Sequence, residues 1–334
     1  MAHLRLTRGQ ILAFRRRVGA LDERLPPDAD SLRTAAWCGL QDSMPRAALL
    51  SLHARVAKVH TETLDDPSLA QLWGPRYSTY VVAKRDFALF SLGRLPDDVK
   101  GRERAERMAA LALGVLGDGR MTDREVGRAL GIGNSLRYST TTGRIAIRWE
   151  GARAPVIWAV PPPEITAAEA QRELARRHLH VFGPTTSAGF ARWAGISRRA
   201  ATATYASLET ELVAVRTPLG DEWLLAADEP LLHGDAGAST RLLPSGDAYF
   251  LLDGAERELL VPDAEQRSKL WTPRVWPGAL LLAGEIRGTW RRAQHAMQVE
   301  TWGRVSKAER NTVEAEAASL PLPGVDRAID VVWC

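Results

Sequence analysis

The most regular alternation of apolar and polar positions lies at 184–226, PTTSAGFARWAGISRRAATATYASLETELVAVRTPLGDEWLLAA. It predicts a helix, a tight turn, a second helix and a hairpin. Thr185 or Thr186 caps the first helix, Gly195 supplies the left-handed residue that ends it, and Ser197 caps the second. LVAVRT and EWLLAA alternate as strands around PLGD. Two helices followed by a hairpin give the order of a winged helix, whose second helix is the element that enters a major groove.

A similar order precedes it. In MTDREVGRALGI, Thr122 and Glu125 have capping-box spacing and Gly131 is a stop. After a Ser/Thr-rich stretch, IAIRWEGARAPVIWAV reads as two strands around a Gly/Pro turn, and PPPE at 161–164 is a rigid break. The first 95 residues predict helices near 7–17 and 31–39, a third with Pro45 at its first position, and a strand in STYVVAK. The last third changes character. STRLLPSGDAYFLLDG, ERELLVPD, GALLLAGEIRGTWRR and MQVETWGR read as short strands, AERNTVEAEAASL as a helix and VDRAIDVVW as a returning strand. The predicted class is α+β, with winged-helix units over 1–95, 96–163 and 164–232 and a small β-rich, barrel-like domain over 233–334. The irregular spacing of the units speaks for tandem domains rather than a solenoid.

Composition narrows the class. The chain has 334 residues, 45% hydrophobic and 25% charged, which is globular chemistry. No apolar run reaches the length of a bilayer span, and the basic N-terminus has no long apolar stretch or cleavage site of a secretory signal. The two cysteines, Cys38 and Cys334, fit a reducing compartment and a cytoplasmic location. They have no metal-ligand spacing, and His178 and His180, two apart in a helical RRHLHVF, point to different faces, so neither a metal nor a cofactor is expected. The net charge is +4 and the isoelectric point about 9.3. Arginines cluster at Arg5, Arg8, Arg15, Arg16 and Arg17, again at Arg137, Arg144, Arg148 and Arg153, and again at Arg192, Arg198 and Arg199. Each cluster taken singly is a solvated helix face. Three together, two of them beside turn-and-hairpin patterns, point to phosphate contact.

GLQDSMPRAALLSLHARV at 39–56, GPRYSTYVV at 74–82, ARRHLHVFGPTTSAGFARWAGI at 175–196, RLLPSGDAYFLL at 241–252 and LLLAGEIRGTWRR at 280–292 follow one another in a distinctive order and spacing. In this the chain resembles the AlkZ/YcaQ-type winged-helix DNA glycosylases, from about residue 6 to about 320. The resemblance implies a curved basic surface of three winged-helix units, double-stranded, damaged DNA as partner, a monomer, and hydrolysis of the N-glycosidic bond of alkylated or crosslinked purines. It also implies a motif just before a proline-started helix: glutamine, one intervening residue, then glutamine or aspartate. Here the first position is Gln41, the intervening residue is Asp42, and Ser43 stands in the second position.

An N7-alkylated purine is already cationic and leaves readily. The enzyme must hold a water at the anomeric carbon and stabilise an oxocarbenium-like transition state. A glutamine amide can accept from water and present a dipole; a carboxylate does both more strongly and can act as a base; a serine positions water without charge. Asp42 substitutes only if the backbone turns it to the site, and neighbours in an extended segment point opposite ways. Asp42 and Ser43 are also both good capping residues ahead of the helix at Pro45, and a buried glutamine tying down a loop is the structural alternative for Gln41. His53, in register with Leu49, Leu52 and Val56, reads as a packed residue. Tyr80 occupies a position where the family often has histidine, and reads either as a site-lining side chain or as a hydrogen-bonded strand residue. Arg76 reads as a phosphate contact or an internal ion pair, and Trp193 and Trp290 as core. The DNA-contact candidates are therefore Arg76, Tyr80, Arg137, Arg144, Arg148, Arg198 and Arg199. The alternative to catalysis is a non-catalytic winged-helix DNA-binding protein, a regulator or damage-recognition factor.

Overall fold

Periodicity and caps place the elements much as expected. The computed structural model describes residues 4–44, 46–150, 153–233, 237, 239–322 and 328–334. The chain opens with β1 (Leu4–Arg5) and α1 (Arg8–Val18), the latter started by a Thr7–Gln10 capping box. Then come α2 (Ala29–Ala35), β2 (Leu40–Gln41), α3 (Ala47–Arg55), β3 (Leu69–Trp73), β4 (Thr79–Ala83) and α4 (Phe87–Leu92). The helix expected at 31–39 begins earlier, because Asp28 accepts from the Ser31 amide and caps it there. The expectation of Pro45 as the first helical residue falls outside the described residues.

The middle comprises α5 (Val99–Leu116), β5 (Arg120–Thr122), α6 (Asp123–Leu130), β6 (Ile145–Arg148) and β7 (Val156–Ala159). Thr122 and Glu125 form the capping box, and Gly131 ends α6 at φ +64°. Next are α7 (Ala167–Phe182), α8 (Ser187–Ala194), α9 (Arg198–Ala206), β8 (Leu212–Thr217) and β9 (Gly220–Leu225). Here Thr186 caps α8, Gly195 at φ +74° closes it and Ser197 caps α9, so the helix–turn–helix–hairpin order read at 184–226 is present. The last third contains β10 (Arg241–Leu243), α10 (Ala255–Leu260), α11 (Ala264–Leu270), β11 (Gly278–Leu282), β12 (Glu285–Ala293), β13 (Ala296–Thr301), α12 (Lys307–Ala318) and β14 (Asp330–Trp333). The first five residues of ERELLVPD, read as a strand, belong to the helix α10, whose Leu259 and Leu260 are buried in two different apolar clusters.

The class is α+β, with three sheets among the described residues. β1, β8 and β9 form one, with Leu4 opposite Val215 in parallel. β10, β11, β12, β13 and β14 form a five-stranded sheet in that order, with β10 and β14 at its edges. The third has the order β2-β4-β3-β6-β7-β5, so strands from 40–83 and 120–159 share one sheet across the 95/96 boundary drawn from sequence. No helix among the described residues is long and apolar enough to cross a membrane.

Four of the five arginines of the first cluster are engaged within the molecule, while Arg5 is exposed on β1. Arg15 is buried and donates to the carbonyls of Phe182, Gly183 and Pro184. Arg16 is buried between Asp22 and the Gly284 carbonyl, Arg17 donates to the Leu231 carbonyl, and Arg8 pairs with Glu285. These residues join the first helix to distant parts of the chain and are not a phosphate-binding face.

One buried ion pair fixes the last third against the first. Asp247, 1% exposed, accepts from Arg55 Nη1 at 2.7 Å and Nη2 at 2.8 Å, and from Ser51 Oγ at 2.7 Å. Burial alone would raise its pKa, but Arg55 and these hydrogen bonds hold it below the usual carboxylate value. Removing one member of a buried pair strands the other charge, at about 3–5 kcal/mol. We expect Arg55→Met to lower unfolding stability in urea by that amount, and Arg55→Met combined with Asp247→Leu to recover part of the loss. A single variant as stable as the wild type would contradict this role.

Candidate catalytic and DNA-contact site

β2 places the motif. Its two residues pair antiparallel with β4, Leu40 opposite Val81 and Gln41 opposite Tyr80, and the Asp42 amide donates to the Thr79 carbonyl at 2.8 Å. Side chains along an extended segment alternate faces. Gln41 and Ser43 therefore lie together: Gln41 Nε2 donates to Ser43 Oγ at 3.1 Å. The Gln41 Oε1 is buried and has no hydrogen-bond partner among the described residues. Gly246 closes over this amide. Its φ of +81° suits glycine, and a Cβ there would stand 3.4 Å from the Gln41 Cδ. The Asp247–Arg55 pair next to it holds that turn in place.

Asp42 faces the other way and is 3% exposed. Its Oδ1 accepts from the Ala48 amide at 3.0 Å, and its Oδ2 accepts from Gln71 Nε2 at 3.2 Å. Gln71 is itself oriented by the Trp149 amide, which donates to its Oε1 at 2.6 Å. Arg46, at the N-cap of α3 with φ +66°, offers no side-chain cap, and Asp42 does that work from six residues before Ala48. Ser43 makes no cap among the described residues and instead receives Gln41. Burial pushes the Asp42 carboxyl up to about 7, against the pull of the Ala48 amide, Arg148 and Arg46. Asp42 also borders a cleft of about 470 Å³ that is lined by Arg46, Arg148, Arg153, Asp65 and Glu62.

Tyr80, opposite Gln41 on the neighbouring strand, is 1% exposed in the main apolar cluster with Leu72, Val82 and Phe90. Burial pushes its pKa up to about 12, against the pull of the Arg76 guanidinium on its hydroxyl. It lies beside Gln41 on the same face of the sheet and is buried rather than lining an open cleft. Arg76 is exposed at the β3–β4 tip with φ +54°, and its backbone lies beside Gly195, the turn between α8 and α9. Arg137 is exposed, donates to the Tyr77 carbonyl at 3.5 Å of the same tip, and lies over the Trp73 ring. Arg198 is exposed at the first position of α9. These three border the connection between β3–β4 and α8–α9. The other three do not join them. Arg199 is bound to Asp97 at 2.9 Å, Arg148 to Asp65 and the Leu64 carbonyl, and Arg144 is half-buried at the start of β6.

His53 is a packed residue, as its register suggests. It lies within hydrogen-bond reach of Ser319 Oγ at 3.1 Å, and burial depresses its pKa to about 4. Trp193 and Trp290 are core, the latter donating to the Leu243 carbonyl at 3.0 Å. Sequence reasoning missed Gln71, Gly246 and Asp247. The last two lie in RLLPSGDAYFLL, where an aspartate set between a Pro-Ser-Gly turn and the apolar run AYFLL was the available signal of a buried anchor.

Asp42 gives a test of the site's electrostatics. Its folded pKa exceeds its ordinary 3.8, so between about 4 and about 7 the folded chain holds a proton that the unfolded chain has lost. By linkage, the stability this group contributes is fully present below the lower value and is lost as pH rises to the upper one. We expect wild-type stability, measured by urea unfolding, to fall relative to that of Asp42→Asn across this interval, and the difference to level off above pH 7. Asp42→Ala, lacking the cap, should lose about 0.5–2 kcal/mol. Parallel pH profiles for wild type and Asp42→Asn would exclude the shift.

The model of the family described as "DNA glycosylase AlkZ-like" matches residues 34–321. Among solved structures, the DNA glycosylase AlkZ of Streptomyces sahachiroi aligns over 99% of this chain and 100% of its own, with a TM-score of 0.80 and 18% sequence identity, a likeness of fold. No curated protein sequence gives a significant match. DNA binding and a glycosylase role in DNA repair follow from the family, whose model spans most of the chain, both the Gln41–Ser43 strand and the Gly246 turn included. The chain belongs to the AlkZ-like DNA glycosylase family.

Proposed function

We propose that the protein is a monofunctional DNA glycosylase that hydrolyses the N-glycosidic bond of cationic, alkylated purines in duplex DNA, with Gln41 and Ser43 orienting the attacking water. The observation that carries this reading is the Gln41–Ser43 pair, with a buried Oε1 that has no partner among the described residues. Gln41 Nε2 is committed to Ser43 Oγ, so its Oε1 is the acceptor presented to a water proton, while the Ser43 hydroxyl hydrogen is available to the water oxygen. The bond from C1′ to the purine nitrogen breaks with its electron pair passing to the base, which leaves neutral. Water adds at C1′, its proton passes to solvent, and an abasic site remains.

The charge distribution explains the restriction to cationic bases. The motif's one carboxylate, Asp42, is turned away from the face of Gln41 and Ser43 and committed to Ala48 and Gln71. The motif itself therefore meets the developing positive charge on the sugar with an amide dipole and a hydroxyl. The reaction then draws its driving force from a leaving group that already carries charge. Tyr80 supports this strand as the cross-strand neighbour of Gln41. Arg76, Arg137 and Arg198 are the phosphate contacts in this reading, with α9 as the groove-facing helix of a winged-helix unit.

The same commitment of Asp42 favours a second reading, a DNA-binding protein that keeps the scaffold without the chemistry. Release of free base from duplex DNA containing N7-methylguanine separates the two. We expect release by the wild type, a loss of about 10²–10³ in rate for Gln41→Ala, a smaller loss for Ser43→Ala, and a gain for Ser43→Asp, which adds the missing carboxylate. Asp42→Asn should retain activity. Salt-dependent duplex binding with no base release by the wild type would sink the catalytic reading. Arg198→Ala and Arg76→Ala should each reduce the slope of log affinity against log salt by about 1; unchanged slopes would remove them from the interface.

A further inference from the structure

One sheet has an uncovered half-face that the reading above does not use. In the six-stranded sheet, Gln71, Trp73, Ile145, Ile147 and Ile157 share one face, most of them packed in a core with α5 and α6. The register puts Ala146 opposite Trp158 and Trp158 opposite Arg120, so these three point to the other face, with Ala70 and Leu72. Leu72 on that face is covered, in one cluster with Phe90 of α4 and Leu174 of α7. Beyond it the face opens as a cleft of about 550 Å³, within the range of small-molecule sites.

Its walls are of two kinds. Ala70 and Ala146 make a floor of methyl groups, with Trp158 from β7 on one side and Phe87 at the start of α4 on another. One end is closed where Pro163 lies against Gly143; a Cβ at Gly143, φ +71°, would stand 2.5 Å from the proline ring. The cleft is also lined by Lys84, Arg85 and Arg120, all exposed. Arg120 lies over the Trp158 ring at 4.6 Å, and Lys84 has no ion-pair partner among the described residues. Arg85 pairs with Asp30 at 3.4 Å; of the two acidic groups of the cleft, Asp65 pairs with Arg148, and Asp66 accepts from the Ser68 amide while keeping its charge, against Lys84 and Arg120. The cleft therefore offers a flat apolar slot with an aromatic wall and a surplus of positive charge.

We infer that this cleft binds a nucleoside phosphate, its base lying on Ala70 and Ala146 against Trp158 and its phosphate meeting Arg120 and Lys84. Base–aromatic stacking beside cations is the recognition chemistry of unpaired nucleotides. The source is either a free nucleotide or an unpaired residue of a DNA strand. The site shares no residue with Gln41, Ser43 or Gly246, and its occupancy does not depend on the glycosylase reading.

Calorimetric titration of the full chain tests it, with deoxyadenosine monophosphate, deoxyadenosine, inorganic phosphate and a single-stranded oligonucleotide as separate probes. We expect saturable binding of the monophosphate, with deoxyadenosine and phosphate each at least tenfold weaker, and a component of oligonucleotide binding that Ala146→Leu removes and Arg76→Ala does not. A preference for the oligonucleotide assigns the site to DNA, and a preference for the monophosphate assigns it to a free nucleotide; both support the proposal. Ala146→Leu, which fills the floor, should abolish binding. Arg120→Ala, an exposed change that leaves the fold measurable by circular dichroism, should weaken it at least tenfold, and Gln41→Ala should leave it unchanged. Absence of saturable binding to wild type, binding that survives both Ala146→Leu and Arg120→Ala, binding lost in Gln41→Ala, or equal affinity for inorganic phosphate would each overturn the proposal.

Discussion

The bidentate contact between Arg55 and Asp247 is the interaction on which the candidate site depends. It joins α3 to the turn before Tyr249, two segments almost two hundred positions apart. Two charges in a nearly solvent-free setting are tolerated only when fully paired, so the contact imposes one position on the turn. Gly246 is then carried over Gln41, and the amide is enclosed without being hydrogen-bonded by the enclosing loop. A glutamine in open solvent would have its carbonyl satisfied indiscriminately. Enclosure keeps that acceptor directed.

The second constraint is the period of two in an extended strand. Gln41, Asp42 and Ser43 are consecutive, yet the backbone divides them between two tasks. Gln41 and Ser43 meet on one face, while Asp42, on the other, organises the start of α3 and fixes Gln71. The carboxylate is therefore close in sequence and remote in chemistry.

Much of the fold was legible because local signals are strong. Thr122, Thr186 and Ser197 each announce a helix start, and Gly131 and Gly195 each announce an end. The opposite orientation of Asp42 was readable from strand alternation alone. What escaped were features set by distant contacts. ERELLVPD carries an ambiguous apolar pair that tertiary packing resolves as helix. The basic run at Arg15–Arg17 has the composition of a phosphate-binding face, but its partners are carbonyls and a carboxylate at Asp22, 182–184, Leu231 and Gly284, which no local pattern can announce. Net charge counts such arginines equally with exposed ones like Arg76 and Arg198. That is why basicity overstates the interface.

The pairing of β1 with β8 has a consequence for how the chain is made. Leu4 can find Val215 only after more than two hundred residues have been synthesised, and Arg15 must wait as long for the carbonyls at 182–184. This segment is thus made long before it reaches its final place. Until then its apolar side chains, Leu6, Ile11 and Phe14 among them, lack the cluster they later share with Val215 and Leu224. Contacts of such long sequence separation slow folding and leave apolar surface exposed meanwhile. Nascent chains arrested before residue 215 are accordingly where a chaperone would find the segment around Leu6, Ile11 and Phe14 open.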